Sequence, residues 1–160
     1  MKRIASFCVN HELLNPGLDV SRIDYVHDYP VTTFDMRCVK PNTDGILDTD
    51  GLHAFEHLGA TYLRNSSWKD RIIYFGPMGC RTGFYIIISG DVKPLDIYDL
   101  MKDFMNFVLD FTGKVPGASS IECGNYRDIN LDKAKEIARK YKEEVLDNFN
   151  ESKYIYPVSE

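Results

Sequence analysis

Apolar and polar positions alternate from Arg22 to Lys40 in RIDYVHDYPVTTFDMRCVK, a stretch rich in Tyr, Val, Thr and Phe. That pattern predicts two strands joined near Asp28, Tyr29 and Pro30. The period then changes. After the loop KPNTDGILDTDG, residues Leu52, Phe55, Leu58, Ala60 and Tyr62 carry a helix to about Arg64, and Asp48, Thr49 or Asp50 can cap its start. RIIYF (71–75) and TGFYIIIS (82–89) read as paired strands around the turn GPMGCR. Beyond Pro94, Leu95, Ile97, Leu100, Met101, Phe104, Met105, Val108 and Phe111 recur at helical spacing, so an amphipathic helix is expected to pack on the sheet. GKVPGASSIECGNYRDIN reads as a loop, and Asn130 can cap a last, charged helix running to about Phe149. Strands first, then strands interleaved with helices of uneven length, predict an α+β fold: a mainly antiparallel sheet packed against helices.

Composition narrows the reading. With 160 residues, 44% of them hydrophobic, the chain can bury one core and is too short for two comfortable domains, so a single domain over residues 1–160 is expected. The net charge of -5 is spread along the chain, with no basic run to meet phosphates or anionic lipid. Nucleic acid and membrane are therefore excluded as expected partners. The longest apolar run, within 84–89, is far short of the roughly 20 residues a membrane helix needs. MKRIASFCVNHELL reaches Asn10, His11 and Glu12 before a signal-like apolar core forms, which predicts a cytoplasmic protein. Cys8, Cys38, Cys80 and Cys123 are scattered and form no Cys-x-x-Cys pair, so neither a disulfide scaffold nor a zinc ribbon is expected.

The chemistry begins with HAFEH. The i, i+4 spacing puts His53 and His57 on one face of a helix, one turn apart, where two imidazoles can converge on one divalent cation. Glu56 stands beside them, and a carboxylate next to a bound cation is placed to act as a general base. The alternative is a solvated helix face with three polar residues. His-x-x-Glu-His is also the signature of inverted zinc peptidases, which recruit a downstream glutamate as third ligand. Here Cys123 in ECGNY is the better third ligand, because its glycine-bounded loop lets a thiolate approach a metal closely among Glu122, Asn125, Arg127 and Asp128. Cys80, in PMGCRTG, has Arg81 beside it and turn amides around it. It is either a reactive thiolate or a turn thiol of no consequence. Cys8 and Cys38 lie in apolar, strand-like runs and read as packing residues.

HAFEH, GPMGCRTGFY and ECGNY, in this order and at these separations, resemble the S-ribosylhomocysteine lyase family, whose product is the precursor of the autoinducer-2 quorum-sensing signal. SFCVNH resembles the family's Ser-Phe-x-x-x-His and FDMRC its Phe-Asp-x-Arg strand, so the motifs run from Ser6 to Asp128. Two departures stand out. Tyr74 occupies a position six before the turn cysteine where many members carry an acidic residue, and RDIN replaces a stretch that commonly holds a histidine.

The resemblance implies a metal-dependent lyase that cleaves S-ribosylhomocysteine to homocysteine and 4,5-dihydroxy-2,3-pentanedione. A carbonyl migrates along the opened ribose by two enolisations, and the thioether then leaves by β-elimination. It further implies that His53, His57 and Cys123 hold one Fe²⁺, with Zn²⁺ or Co²⁺ acceptable to the same donors. Glu56 and Cys80 map onto the acid/base pair, and Ser6, His11 and Arg37 map onto residues around the ribose hydroxyls. His27 matches nothing and reads as a surface or strand-edge residue. A homodimer with sites at the subunit interface is implied as well. The rival readings are an inverted-motif metallopeptidase and a metal-storing or metal-sensing module.

Overall fold

The computed structural model describes residues 2, 4–150 and 156–157. A short 3-10 turn, Ala5–Phe7, precedes strand β1 (Gly17–Val26), which returns as β2 (Tyr29–Arg37) through a two-residue turn. His27 sits exposed in that turn with φ 54°, a conformation that a tight hairpin demands. Helix α1 (Thr49–Leu63) follows, then β3 (Ile72–Pro77) and β4 (Gly83–Ser89). A 3-10 turn at Pro94–Ile97 leads into α2 (Tyr98–Asp110), and α3 (Leu131–Tyr141) closes the helical layer. The four strands form one antiparallel sheet in the order β1-β2-β4-β3. The architecture is α+β, as the sequence pattern predicts.

Alternation along the strands decides the two faces. Leu18 of β1, Phe34 and Met36 of β2, and Phe84, Ile86 and Ile88 of β4 point into the core beneath the helices. Asp19, Asp35, Arg37 and Tyr85 fall on the opposite face. From the helical side come Phe55 and Leu58 of α1 and Phe104 of α2, all fully buried. Phe55 lies 4.9 Å from the Phe84 ring and 5.0 Å from that of Phe104. Truncating such a residue to Ala costs about 3–5 kcal/mol. Gly59 is where α1 comes closest, since a β-carbon there would collide with the rings of Phe75 and Phe104.

Two boundaries differ from the sequence expectation. Strand β1 begins at Gly17 rather than near Arg22, because a bulge between Val20 and Arg22 interrupts the alternation that marks a strand. The last helix keeps α geometry only to Tyr141 and then widens into a π turn over Lys142–Leu146, closed by Asp147 N–H donating to the Lys142 carbonyl at 2.8 Å. The wider turn buries the adjacent residues Val145 and Leu146 together. Asn130 does cap α3, its side chain accepting from the Lys133 amide.

Candidate metal centre and acid–base groups

The outward face of α1 carries His53, Glu56 and His57, and what orients the imidazoles is the loop before α3. His53 Nδ1 lies 2.8 Å from the Asp128 carbonyl oxygen, and His57 Nδ1 lies 2.7 Å from that of Pro116. A carbonyl can only accept, so both Nδ1 atoms carry the proton and both Nε2 atoms present lone pairs. Those two Nε2 atoms are 3.1 Å apart. Cys123 Sγ stands 3.4 Å from His53 Nε2, and the three ligand atoms all lie within 4.8 Å of one another. Lone pairs converging at this range repel unless a positive charge sits among them. Two imidazoles and a thiolate are a donor set suited to a transition metal, and this group could hold one.

The loop is built to keep that convergence. Cys123 N–H donates to the Ser119 carbonyl at 3.0 Å, which folds the segment back toward α1. Gly117 has φ 72°, and a β-carbon there would lie 3.0 Å from His57 Nδ1, so a side chain would be strained and would press on the ring. Lys133 forms ion pairs at 3.0 Å with both Asp48 and Asp50, and Asn130 N–H donates to the Asp50 carbonyl, tying the far end of the loop to the start of α1. Glu56 Oε2 is 3.8 Å from His57 Nε2. Glu56 and His57 line a cavity of about 230 Å³ together with Thr61, Pro116 and Gly117.

Cys80 belongs to a second group, on the turn between β3 and β4. Arg81 N–H donates to the Met78 carbonyl at 2.9 Å, leaving Gly79 and Cys80 at the tip, and Arg81 takes φ 58° to bring the chain back. Cys80 Sγ lies 3.1 Å from Thr82 Oγ1 and 3.8 Å from Arg37 Nη1. Burial resists ionisation of the thiol, but the Thr82 hydroxyl and amide and the Arg37 guanidinium outweigh it and hold the thiol below its ordinary value. Arg37 is itself buried, donating at 2.5 Å to Thr82 Oγ1 and at 2.5 Å to Asp35 Oδ2. Burial opposes its charge, yet the neighbouring Asp35 carboxylate holds the guanidinium above its ordinary value. His11 and Cys80 line a cavity of about 420 Å³ with Pro41, Asn42, Thr43, Gly45, Ile46 and Thr82.

The structure therefore brings the residues singled out from the sequence into two groups. His53, Glu56, His57 and Cys123 form one; His11, Arg37 and Cys80 form the other, and among the described residues the two cavities share no lining residue. Ser6 lies in the 3-10 turn ahead of His11. Cys38 is a buried packing residue whose thiol is pushed up by burial. Cys8 is not in a strand: it occupies a bend after the 3-10 turn and is half-buried. Sequence reasoning missed Thr82, the Asp35 partner of Arg37, and the two carbonyls that orient the histidines. Asp35 and Arg37 had a legible signal, two charges at i, i+2 in an otherwise uncharged strand. Carbonyls of Pro116 and Asp128 have none, since every residue carries one.

An α+β domain that brings two imidazoles and a cysteine together beside a carboxylate falls in the class of small domains able to hold a metal next to an acid–base group. The family model for S-ribosylhomocysteinase (LuxS) matches residues 4–152, and the chain belongs to that family. Relatives named S-ribosylhomocysteine lyase include that of Desulfotalea psychrophila, 51% identical over 98% of this chain and 99% of its own length. That of Clostridium beijerinckii is 48% identical over 98% and 99%, and that of Borreliella burgdorferi 46% identical over 98% and 100%.

Proposed function

We propose that this chain is a metal-dependent lyase, acting as one domain over residues 1–160, that cleaves the thioether of S-ribosylhomocysteine to homocysteine and 4,5-dihydroxy-2,3-pentanedione, the autoinducer-2 precursor. The observation that carries the reading is the convergence of His53 Nε2, His57 Nε2 and Cys123 Sγ beside the Glu56 carboxylate in a member of this family. His53, His57 and Cys123 are the proposed ligands, and Fe²⁺ the proposed ion; the same donors accept Zn²⁺ or Co²⁺. When bound, the cation supplies Lewis-acid polarisation of a sugar carbonyl.

The chain's own residues do the proton work. Each enolisation removes a proton from the carbon beside a carbonyl and delivers one to the neighbouring position, which moves the carbonyl from the first carbon to the third. Elimination then takes the proton from the fourth carbon and expels the homocysteine thiolate from the fifth. Glu56 is the group at the metal end for these transfers, and Cys80, held toward its thiolate by Thr82 and Arg37, is the second. Ser6, His11 and Arg37 are the proposed contacts to the sugar hydroxyls.

One sugar must meet both groups, and within one chain they line different cavities. This supports a homodimer in which Glu56 of one subunit faces Cys80 of the other. Large exposed apolar side chains on the projecting β1–β2 hairpin, Ile23, Tyr25, Val26 and Tyr29, and Ile73 and Tyr74 on β3, favour such an association. No helix among the described residues is long and apolar enough to cross a membrane, and the proposed location is the cytoplasm. Incubating the protein with S-ribosylhomocysteine and a thiol reagent tests the reading: homocysteine release is the expected result, and none from the metal-loaded protein would overturn it.

A further inference from the structure

On the face of the sheet turned away from the helices, three charged residues are buried. Asp19 is 3% exposed, Asp35 0% and Arg37 2%. Asp19 on β1 is the direct cross-strand partner of Asp35 on β2, and Asp35 is in turn the partner of Tyr85 on β4. The buried side-chain atoms without a hydrogen-bond partner among the described residues are Asp19 Oδ1, Asp35 Oδ1 and Arg37 Nε, and all belong to this cluster. Asp35 Oδ2 is fully used, accepting from Arg37 Nη2 at 2.5 Å and from the Tyr156 hydroxyl at 2.7 Å.

Asp35 and a Cys80 thiolate already set two negative charges around the single buried guanidinium of Arg37. Among the described residues, the other titratable or charged groups that act on them include Tyr85, Tyr156, Arg22 and Cys38; Arg22 is exposed and ion-paired with Asp24, and the buried Cys38 thiol is pushed up by burial. A third negative charge at Asp19, directly across from Asp35, would be unfavourable in a buried environment. A proton on Asp19 removes that charge and supplies a donor where the carboxyl pair otherwise offers only acceptors.

We propose that Asp19 is a positioning residue for the Cys80 thiolate: held as a neutral acid opposite Asp35, it reserves the charge of Arg37 for Asp35 and the thiolate. It touches no substrate and acts through Asp35 and Arg37. The same geometry explains why the Asp19 carboxyl, disfavoured as an anion first by burial and then by Asp35, is pushed up to about 7 against the pull of Arg37. Asp19 and Cys80 then compete for one negative charge, so that ionising either makes the other harder to ionise. The role in catalysis rests on Cys80 being an acid–base group, but the charge coupling does not.

The test is the rate of Cys80 alkylation by iodoacetamide across pH 5–10, followed by mass spectrometry in the metal-loaded wild type and in Asp19→Asn. Asp19 takes up its negative charge as the pH rises past about 7 and Asn cannot, so with Asn the midpoint of Cys80 ionisation should fall by about half a pH unit, less than the one to three of a direct charge contact because the effect passes through Arg37. The profile should also sharpen, and Asp19→Glu should restore the broader one. The carboxyl carbon of Asp19, followed by NMR in labelled wild type, should titrate near 7. An unchanged alkylation midpoint in Asp19→Asn, or an Asp19 carbon that titrates below pH 5, would overturn the proposal. A normal coupling without homocysteine release would instead count against the lyase reading alone.

Discussion

His53 Nε2 and His57 Nε2 lie 3.1 Å apart while the Nδ1 of each ring is committed to a backbone carbonyl, so neither nitrogen of the facing pair has a proton to offer when the rings are neutral. The pair is complementary to a cation and to little else. His57→Ala and Cys123→Ala should each lose the bound metal, measured by elemental analysis of protein purified without oxygen. Full occupancy in either variant would remove that residue from the ligand set. Chelating the wild type should also lower its thermal midpoint, because a ligand held only by the folded state adds to stability by mass action.

Glu56 stands beside that pair without completing it. Its Oε2 is 3.8 Å from His57 Nε2, close enough to act on a bound substrate and not placed as one of the three converging atoms. Glu56→Gln keeps the shape and removes the basicity, and Cys80→Ala deletes the thiol. Both should lose about 10²–10⁴-fold in turnover, the usual contribution of a general acid or base, with metal content unchanged. A Cys80→Ala variant with near-normal homocysteine release would return the turn thiol to a structural role.

Exposure and electrostatics rank the cysteines. Cys80 is exposed and held toward its thiolate by Thr82 and Arg37, whereas Cys38 is buried and its thiol is pushed up. Iodoacetamide should therefore modify Cys80 well before Cys38, read by peptide mass spectrometry, and alkylation at Cys80 should track loss of activity.

Glu56 and Cys80 line separate cavities in one chain, so subunit mixing is decisive for the dimer reading. When Glu56→Gln and Cys80→Ala proteins are mixed, unfolded and reassembled, a hybrid dimer has one site carrying both lesions and one carrying neither. Activity should reappear in the mixture. His11→Ala should complement Glu56→Gln in the same way, since His11 shares the Cys80 cavity. A monomer by sedimentation at assay concentration would end the idea.

How much of this was legible in the sequence follows the range of the interactions. Period-3.6 spacing placed α1 and set His53 and His57 on one face, because i, i+4 geometry is local. Helix α2 was legible for the same reason, its apolar stripe from Leu100 to Val108 being the buried face. Cys123 was legible as chemistry but not as geometry: its approach to His53 spans 70 residues and depends on loop hydrogen bonds and on Gly117 making room for His57. The start of β1 was hidden by the Val20–Arg22 bulge, and Asp19 with it. The buried cluster around Arg37 needed the register of β1 on β2, which sets Asp19 against Asp35 and which no local pattern encodes.

Asp19 makes a further prediction that needs no substrate. Its carboxyl titrates near 3.8 when unfolded and is pushed up to about 7 in the fold, by burial first and then by Asp35. Between those values the folded chain holds a proton that the unfolded chain has released. The stability this proton contributes is complete below about pH 4 and is lost as the pH rises through about 7, the opposite of a salt-bridged carboxylate. Full linkage over such a shift amounts to about 4 kcal/mol, taken as an order of magnitude. Asp19→Asn cannot ionise and escapes the loss, while other groups titrate nearly alike in both proteins and largely cancel in the difference. Thermal midpoints of variant and wild type, measured side by side from pH 4 to pH 8.5, should therefore diverge in favour of Asp19→Asn as the pH rises. At about 2–4 °C per kcal/mol for a chain of this size, the gap should open by several degrees and level off above about pH 8. A difference that stays flat across the range would mean that Asp19 is already ionised in the fold at pH 4, and the neutral-acid assignment would fall with it.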